Sequence, residues 1–210
     1  MGWKIPVFVA LWALPTVAQA QFLPRPPAPP ALLAPLPVPG VGPCQGADQA
    51  FAREAEALIA QAIDAERAKY APAAPPLAPD PDIARIAQTR SCDMAHGADF
   101  SHRDAAGRFI AGDMVRARFG PYGTIGENIM EMGGDTMEMV GRRPFGPEEF
   151  ARVAVQGWME SPGHRANILN PRYDSSGIGV AMVGDQAFAT QVFRGPAATG
   201  RASKVPERDE

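Results

Sequence analysis

The sequence predicts an α+β domain over residues 47–195 of a 210-residue chain. Three observations carry this. Four separate runs space their apolar residues as helices do. Two apolar runs joined by Gly184-Asp185-Gln186 close the domain as a hairpin. No internal repeat divides the chain.

Residues 1–20 read as a removable secretion signal. Lys4 makes the start basic, a mostly apolar run covers 5–17, and Ala18-Gln19-Ala20 supplies a small-x-small cleavage site. The run is short of the roughly 20 apolar residues that span a bilayer, and Pro15 interrupts it. No cysteine follows Ala20 to take a lipid. The expected location is therefore secreted or otherwise extracytoplasmic, in a periplasm or outside the cell. Residues 21–46 form a Pro/Ala-rich linker. Proline fixes φ and lacks an N–H, so this stretch is expected to be an extended, semi-rigid spacer.

The first helix is expected over 48–69. Phe51, Ala55, Leu58, Ile59, Ala62 and Ile63 share a face, and Pro72, Pro75 and Pro76 forbid continuation. A second starts at Asp80, a capping residue, with Pro81 in the first turn and Asp82 at the positive end of the dipole. Ile83, Ile86, Ala87, Arg90 and Met94 share its buried side, and it ends near Gly97. A third, shorter helix is expected over 112–119. Pro147, Glu148 and Glu149 open the fourth, whose apolar stripe is Phe150, Val153, Ala154, Gly157 and Trp158. Ser161-Pro162-Gly163 is expected to break it.

The hairpin strands are 177–183 and 187–193. Neither alternates strictly, so both faces are expected to be covered by helices. Residues 124–130 are the candidate third strand. The tail, 196–210, is short, polar and expected to be flexible.

A formal net charge of −3 with no basic run excludes nucleic acid as the expected partner. No second long apolar stretch exists, so the mature chain carries no expected membrane span, and a monomer is the default. Two cysteines, Cys44 and Cys92, suit an oxidising compartment. Paired, they would close a loop of about 48 residues, worth roughly 4 kcal/mol in the chain-entropy model. Two unrelated thiols are the alternative.

Only three histidines exist. His96 is read as a surface residue. His102, in Phe100-Ser101-His102-Arg103, and His164, in Ser161-Pro162-Gly163-His164, each follow the end of a helix, and site residues favour such loops. Glu127 lies on the candidate third strand. Two imidazoles and one carboxylate would suit zinc with open coordination positions. The alternative is that all three satisfy loop polar groups. Asn128, Pro162 and Gly163 read as loop-shaping: an amide for neighbouring backbone, and a sharp turn aiming His164. Trp158 reads as core. Asn167 and Asn170-Pro171 read as turn-fixing.

At these residues the chain resembles a known family. AHGADFSH at 95–102, GENI at 126–129, GWMESPGHRANILNP at 157–171 and GIGV at 177–180 occur in one order. This order resembles the CAP superfamily of cysteine-rich secretory, antigen 5 and pathogenesis-related 1 proteins (the SCP domain), in its bacterial form. The likeness spans about residues 50–194. It implies an α–β–α sandwich with a small three-stranded antiparallel sheet between helical layers. It also implies a central cleft of two histidines and two acids, with His102, Glu127 and His164 as three of them. The second acid departs from the pattern: its position after Trp158 holds Ser161, and Glu160 stands one residue early, about 100° around a helix.

The resemblance implies an extracytoplasmic binding module for a lipid, small molecule or protein, with no agreed catalysis and with zinc as the candidate cofactor of the His/Glu cleft. The alternative is a metal-dependent hydrolase or protease acting on peptide or cell-envelope substrate. The sequence holds no Gly-x-Ser-x-Gly elbow and no His-Glu-x-x-His helix.

Overall fold

In the computed structural model the described residues are 44–121, 123–133 and 145–196. The expected leader, nearly all of the linker and nearly all of the tail lie outside them. The elements run α1 (Gln49–Tyr70), β1 (Ala78–Pro79), α2 (Pro81–Ala95), α3 (Ile110–Phe119), β2 (Ile125–Met132), α4 (Pro147–Glu160), α5 (Pro162–Ile168), β3 (Ser175–Val183) and β4 (Gln186–Arg194).

Local chemistry sets the helix starts. Asp48 accepts hydrogen bonds from the amides of Ala50 and Phe51, and Asp80 does the same for Asp82 and Ile83. Pro81, Pro147 and Pro162 each lie in a first helical turn, where the missing N–H costs nothing. The chain from Ser161 to Ile168 corrects the sequence reading. Pro162-Gly163 was expected to form a turn, and instead opens a second helix directly after α4. A proline that ends one helix is equally suited to begin another.

The sheet order is β1-β3-β4-β2, with β1 parallel to β3 and the other pairs antiparallel. The three strands of the expected sheet are present, and a two-residue parallel strand, β1, makes a fourth. The hairpin pairs Val183 with Gln186 across Gly184-Asp185. Strand β4 is buried along nearly its whole length because helices cover both faces.

On one face, Ala187, Ala189 and Phe193 of β4 join the apolar stripes of α1 and α4, with Phe150, Trp158 and Ile168 at the centre. On the other, Val192 meets Ile83, Ile86 and Ala87 of α2 and Val115 of α3. The result is an α–β–α sandwich, an α+β fold. Each large side chain fully removed from water contributes about 1.5–3 kcal/mol.

Helix α2 lies almost on the backbone of β3, which explains the glycines of GIGV. A Cβ at Gly177 would come within 2.0 Å of the Ala84 nitrogen, and one at Gly179 within 2.1 Å of the Gln88 nitrogen. Both positions face α2, since their partners across the ladder, Val192 and Thr190, lie on that side. Ser91 exploits the closeness, donating to the Gly179 carbonyl at 2.8 Å.

Side chains also cover the sheet edges, which would otherwise offer unpaired backbone groups. On β3, Gln88 imitates a strand: its amide donates to the Val180 carbonyl and accepts from the Val180 N–H, a donor shared with Glu56. On β2, the Trp158 indole N–H donates to the Ile129 carbonyl at 2.9 Å, and Asn167 donates to the Glu127 carbonyl at 3.2 Å. A disulfide between Cys44 and Cys92 ties the residues before α1 to the last turn of α2.

Candidate functional site

The site is built across β2, an edge strand whose successive side chains point to opposite faces. Glu127 projects toward α2 and Asn128 toward α5. Both are buried, and Glu127 opposes Val192 while Asn128 opposes Gln191.

Arg90 comes from α2. It is 2% exposed, and its Nε donates to Glu127 Oε1 at 3.0 Å. A buried carboxylate is costly unless paired and hydrogen-bonded, and Arg90 supplies both conditions. Its Nη2 also donates to the Ser101 carbonyl at 2.5 Å. That contact pins the loop beyond α2, and the Ile110 amide holds the next carbonyl, that of His102, at 3.1 Å. The loop so held sets His102 Nδ1–H against Glu127 Oε2 at 2.7 Å. With the carboxylate accepting at Nδ1, Nε2 is the ring atom left for other chemistry.

His164 reaches the same place from the other face. It is the third residue of α5, and Asn128 Nδ2 donates to its carbonyl at 3.2 Å. Asn167 in turn donates to Asn128 Oδ1 at 2.9 Å, so two amides hold the helix start against the strand. A Cβ at Gly126 would fall 2.5 Å from the Tyr173 hydroxyl and 2.8 Å from Asn167, so a larger residue before Glu127 would displace these two side chains. The two imidazole rings end 5.9 Å apart, edge to face. Burial, and then the charge on His102, push the His164 pKa below its ordinary value.

The remaining candidates lie elsewhere. Glu160 is exposed, and its carboxylate accepts from Gln156 one turn earlier on α4. It lines a groove of about 430 Å³ with Tyr70, Arg152 and Arg165, between α1 and α4. Ser161 occupies the junction of α4 and α5 and makes no side-chain cap. The residue that sequence reasoning missed is Arg90. Its signal in the sequence is a cation inside an apolar stripe of Ile83, Ile86, Ala87 and Met94. Asn167, read as turn-fixing, is a strut between α5 and β2.

Residues 61–193 match the family described as CAP, the cysteine-rich secretory protein family. The chain belongs to that family. This CAP chain is 32% identical over 140 residues to the uncharacterized YkwD protein of Bacillus subtilis, a match covering 67% of this chain and 47% of that protein. An extracellular SCP-domain protein of Bacillus anthracis superposes with a TM-score of 0.51 at 28% identity, over 68% of this chain and 41% of that one. An outer surface protein of Borrelia burgdorferi shares the fold, with a TM-score of 0.55 at 13% identity, over 69% of this chain and 94% of that one. The chain thus spans less than half of the two Bacillus proteins.

Whether the cleft of this CAP domain fits a resident zinc ion can be judged from its donors. Both carboxylate oxygens of Glu127 are engaged, by Arg90 and by His102. Glu127, buried and accepting from His102 Nδ1, is placed as an orienting carboxylate. Two imidazoles remain, where zinc sites use three or four protein ligands. Among the described residues, the set of three such donors lying within 4.8 Å of one another is Cys44, Cys92 and His96, and the two sulfurs form the disulfide. The arrangement does not make a closed zinc site; the open-position zinc expected from the sequence would rest on the imidazoles of His102 and His164, with Glu127 behind His102.

Proposed function

We propose that the protein is an extracytoplasmic, non-catalytic binding module whose ligand-contacting centre is the His102–His164 pair. The observation that carries this is the burial and pairing of Glu127. With its carboxylate held by Arg90 and by His102, the polar groups left to meet a ligand are the imidazoles themselves. A rigid, internally satisfied support with two open ring nitrogens suits recognition. A divalent metal enters such a site as an exchangeable ligand on two imidazoles, its remaining positions open to solvent or to a lipid, peptide or small-molecule donor.

The hydrolase reading gains no nucleophile from the nearest hydroxyl. Ser101 Oγ donates to the Arg103 carbonyl at 2.9 Å and accepts the Arg103 amide at 3.0 Å, so it serves its own turn. An extracytoplasmic setting is supported by the basic-apolar-small start of the chain, by the disulfide, and by the extracellular and outer-surface descriptions of two structural relatives.

The test is zinc titration by calorimetry on the oxidised protein and on His102→Ala/His164→Ala. Exchangeable binding in the wild type that vanishes in the double variant, with both proteins giving the same circular dichroism, is the expected outcome. A folded wild type that takes no zinc would remove the metal from this reading, and a double variant that binds zinc equally well would remove the imidazole pair as its ligands.

A further inference from the structure

We propose a second metal site, separate from the cleft, made by Cys44, Cys92 and His96 and gated by redox state. It is closed as a disulfide in the oxidised protein and holds a thiophilic divalent cation of the zinc type once a dithiol has reduced the bridge.

Cys92 and His96 stand four residues apart at the end of α2, the spacing that places two side chains on one helix face. The backbone of His96 is fixed as the helix cap, its N–H shared between the carbonyls of Cys92 at 3.1 Å and Asp93 at 3.2 Å. Its ring is turned toward the bridge, with Nε2 lying 3.5 Å from Cys44 Sγ. Zn–S of about 2.3 Å and Zn–N of about 2.0 Å at a tetrahedral angle put sulfur and nitrogen about 3.5 Å apart. The imidazole is therefore already at the edge length of a zinc tetrahedron, and all three donor atoms lie within 4.8 Å of one another.

The burial is graded. Cys44 is 5% exposed, Cys92 half-buried and His96 exposed. A metal would be backed by protein on the Cys44 side and would present its fourth position to solvent beside His96. Two thiolates and one imidazole are a set that zinc uses with an open fourth position.

The chemistry balances in two steps. A dithiol reduces the bridge by thiol–disulfide exchange: the Cys44–Cys92 bond breaks, both sulfurs leave as thiols, and the reductant becomes a disulfide. The cation then binds both sulfurs and His96 Nε2, releasing the two thiol protons. Bridge and metal are mutually exclusive because each requires the same two sulfurs, so bound metal slows closure of the bridge.

Cobalt(II) serves as the probe, since thiolate coordination gives a charge-transfer band that imidazole coordination in the cleft does not. The full chain, oxidised or reduced with a phosphine, is titrated anaerobically. One equivalent bound with the thiolate band in the reduced protein, and no such band in the oxidised protein, is expected. His96→Ala should weaken binding by about ten-fold or more, since even outer-shell partners of a metal ligand contribute that much. Cys44→Ser should abolish the band. Far-UV circular dichroism of each sample separates loss of a ligand from loss of the fold. The proposal is overturned by a reduced chain without the band, by equal affinity in His96→Ala, or by metal that binds only a chain without native dichroism.

Discussion

Replacing Arg90 with methionine keeps a long apolar stem in the core and deletes the cation. The Glu127 carboxylate, 0% exposed in its side chain, is then left with His102 as its partner, and the Ser101 carbonyl loses the bond that fixes the loop. Breaking a buried pair from one side costs about 3–5 kcal/mol, because the remaining charge stays buried without compensation. Set against a total stability of about 5–15 kcal/mol, that is a large fraction. For a domain of this size it corresponds to a fall in Tm of roughly 10 °C. Glu127→Gln combined with Arg90→Met removes both charges, so the double variant should be more stable than Arg90→Met alone. The assay is a double-mutant cycle by urea unfolding followed by circular dichroism and tryptophan fluorescence. Arg90→Met within about 1 kcal/mol of the wild type, or a double variant whose losses simply add, would refute the assignment of Arg90 as the support of Glu127.

Glu56 should give the protein a pH-dependent stability. Burial pushes its carboxyl from 4.5 to about 7, against the Val180 amide and Arg53, which pull it down. The folded value lies above the unfolded one, so this contribution is full below pH 4.5 and is lost as pH rises through 7. The gap corresponds to about 3 kcal/mol, and unfolding of Glu56→Gln measured from pH 4 to 8 should lack that decline relative to the wild type. Gly179→Ala should cost about 3 kcal/mol or more, read as lost soluble yield or a lowered urea midpoint, because the new methyl would stand 2.1 Å from the Gln88 nitrogen. Trp158→Phe removes the donor to the Ile129 carbonyl and should cost about 1–3 kcal/mol. Hydrogen exchange should quicken in β2 more than in β3, because the lost bond covers the β2 edge.

Legibility in the sequence followed the range of the interactions. The starts of α2 and α4 were readable because caps and prolines act within one turn. Apolar spacing placed α1, and two apolar runs about Gly184-Asp185 placed the hairpin. The start of α5 was missed, since Pro162-Gly163 is compatible both with a turn and with a first helical turn, and the choice depends on Ile168 reaching the core beneath α4. Strand β1 was missed because two residues carry no periodicity. Their place is set by pairing with Ser175 and Ser176, far along the chain.

The sequence by itself determined the fold class, the main helices and strands, and a short set of chemically capable side chains, His102, Glu127 and His164 among them. Caps, turns and apolar spacing are local, and the ordered motifs pointed to the family. Only the tertiary structure decided what those side chains do to one another. Arg90 and Glu127 are 37 residues apart, and their pairing depends on α2 lying directly on β3. Of the two roles the sequence left open for Glu127, orienting the imidazoles or joining them as a ligand, that pairing favours the first. His96, exposed as the sequence suggested, neighbours the disulfide because Cys44, 48 residues before Cys92, is brought to the end of α2. The roles of charged groups are set by which partner shares their low-dielectric surroundings, and packing at long range decides that.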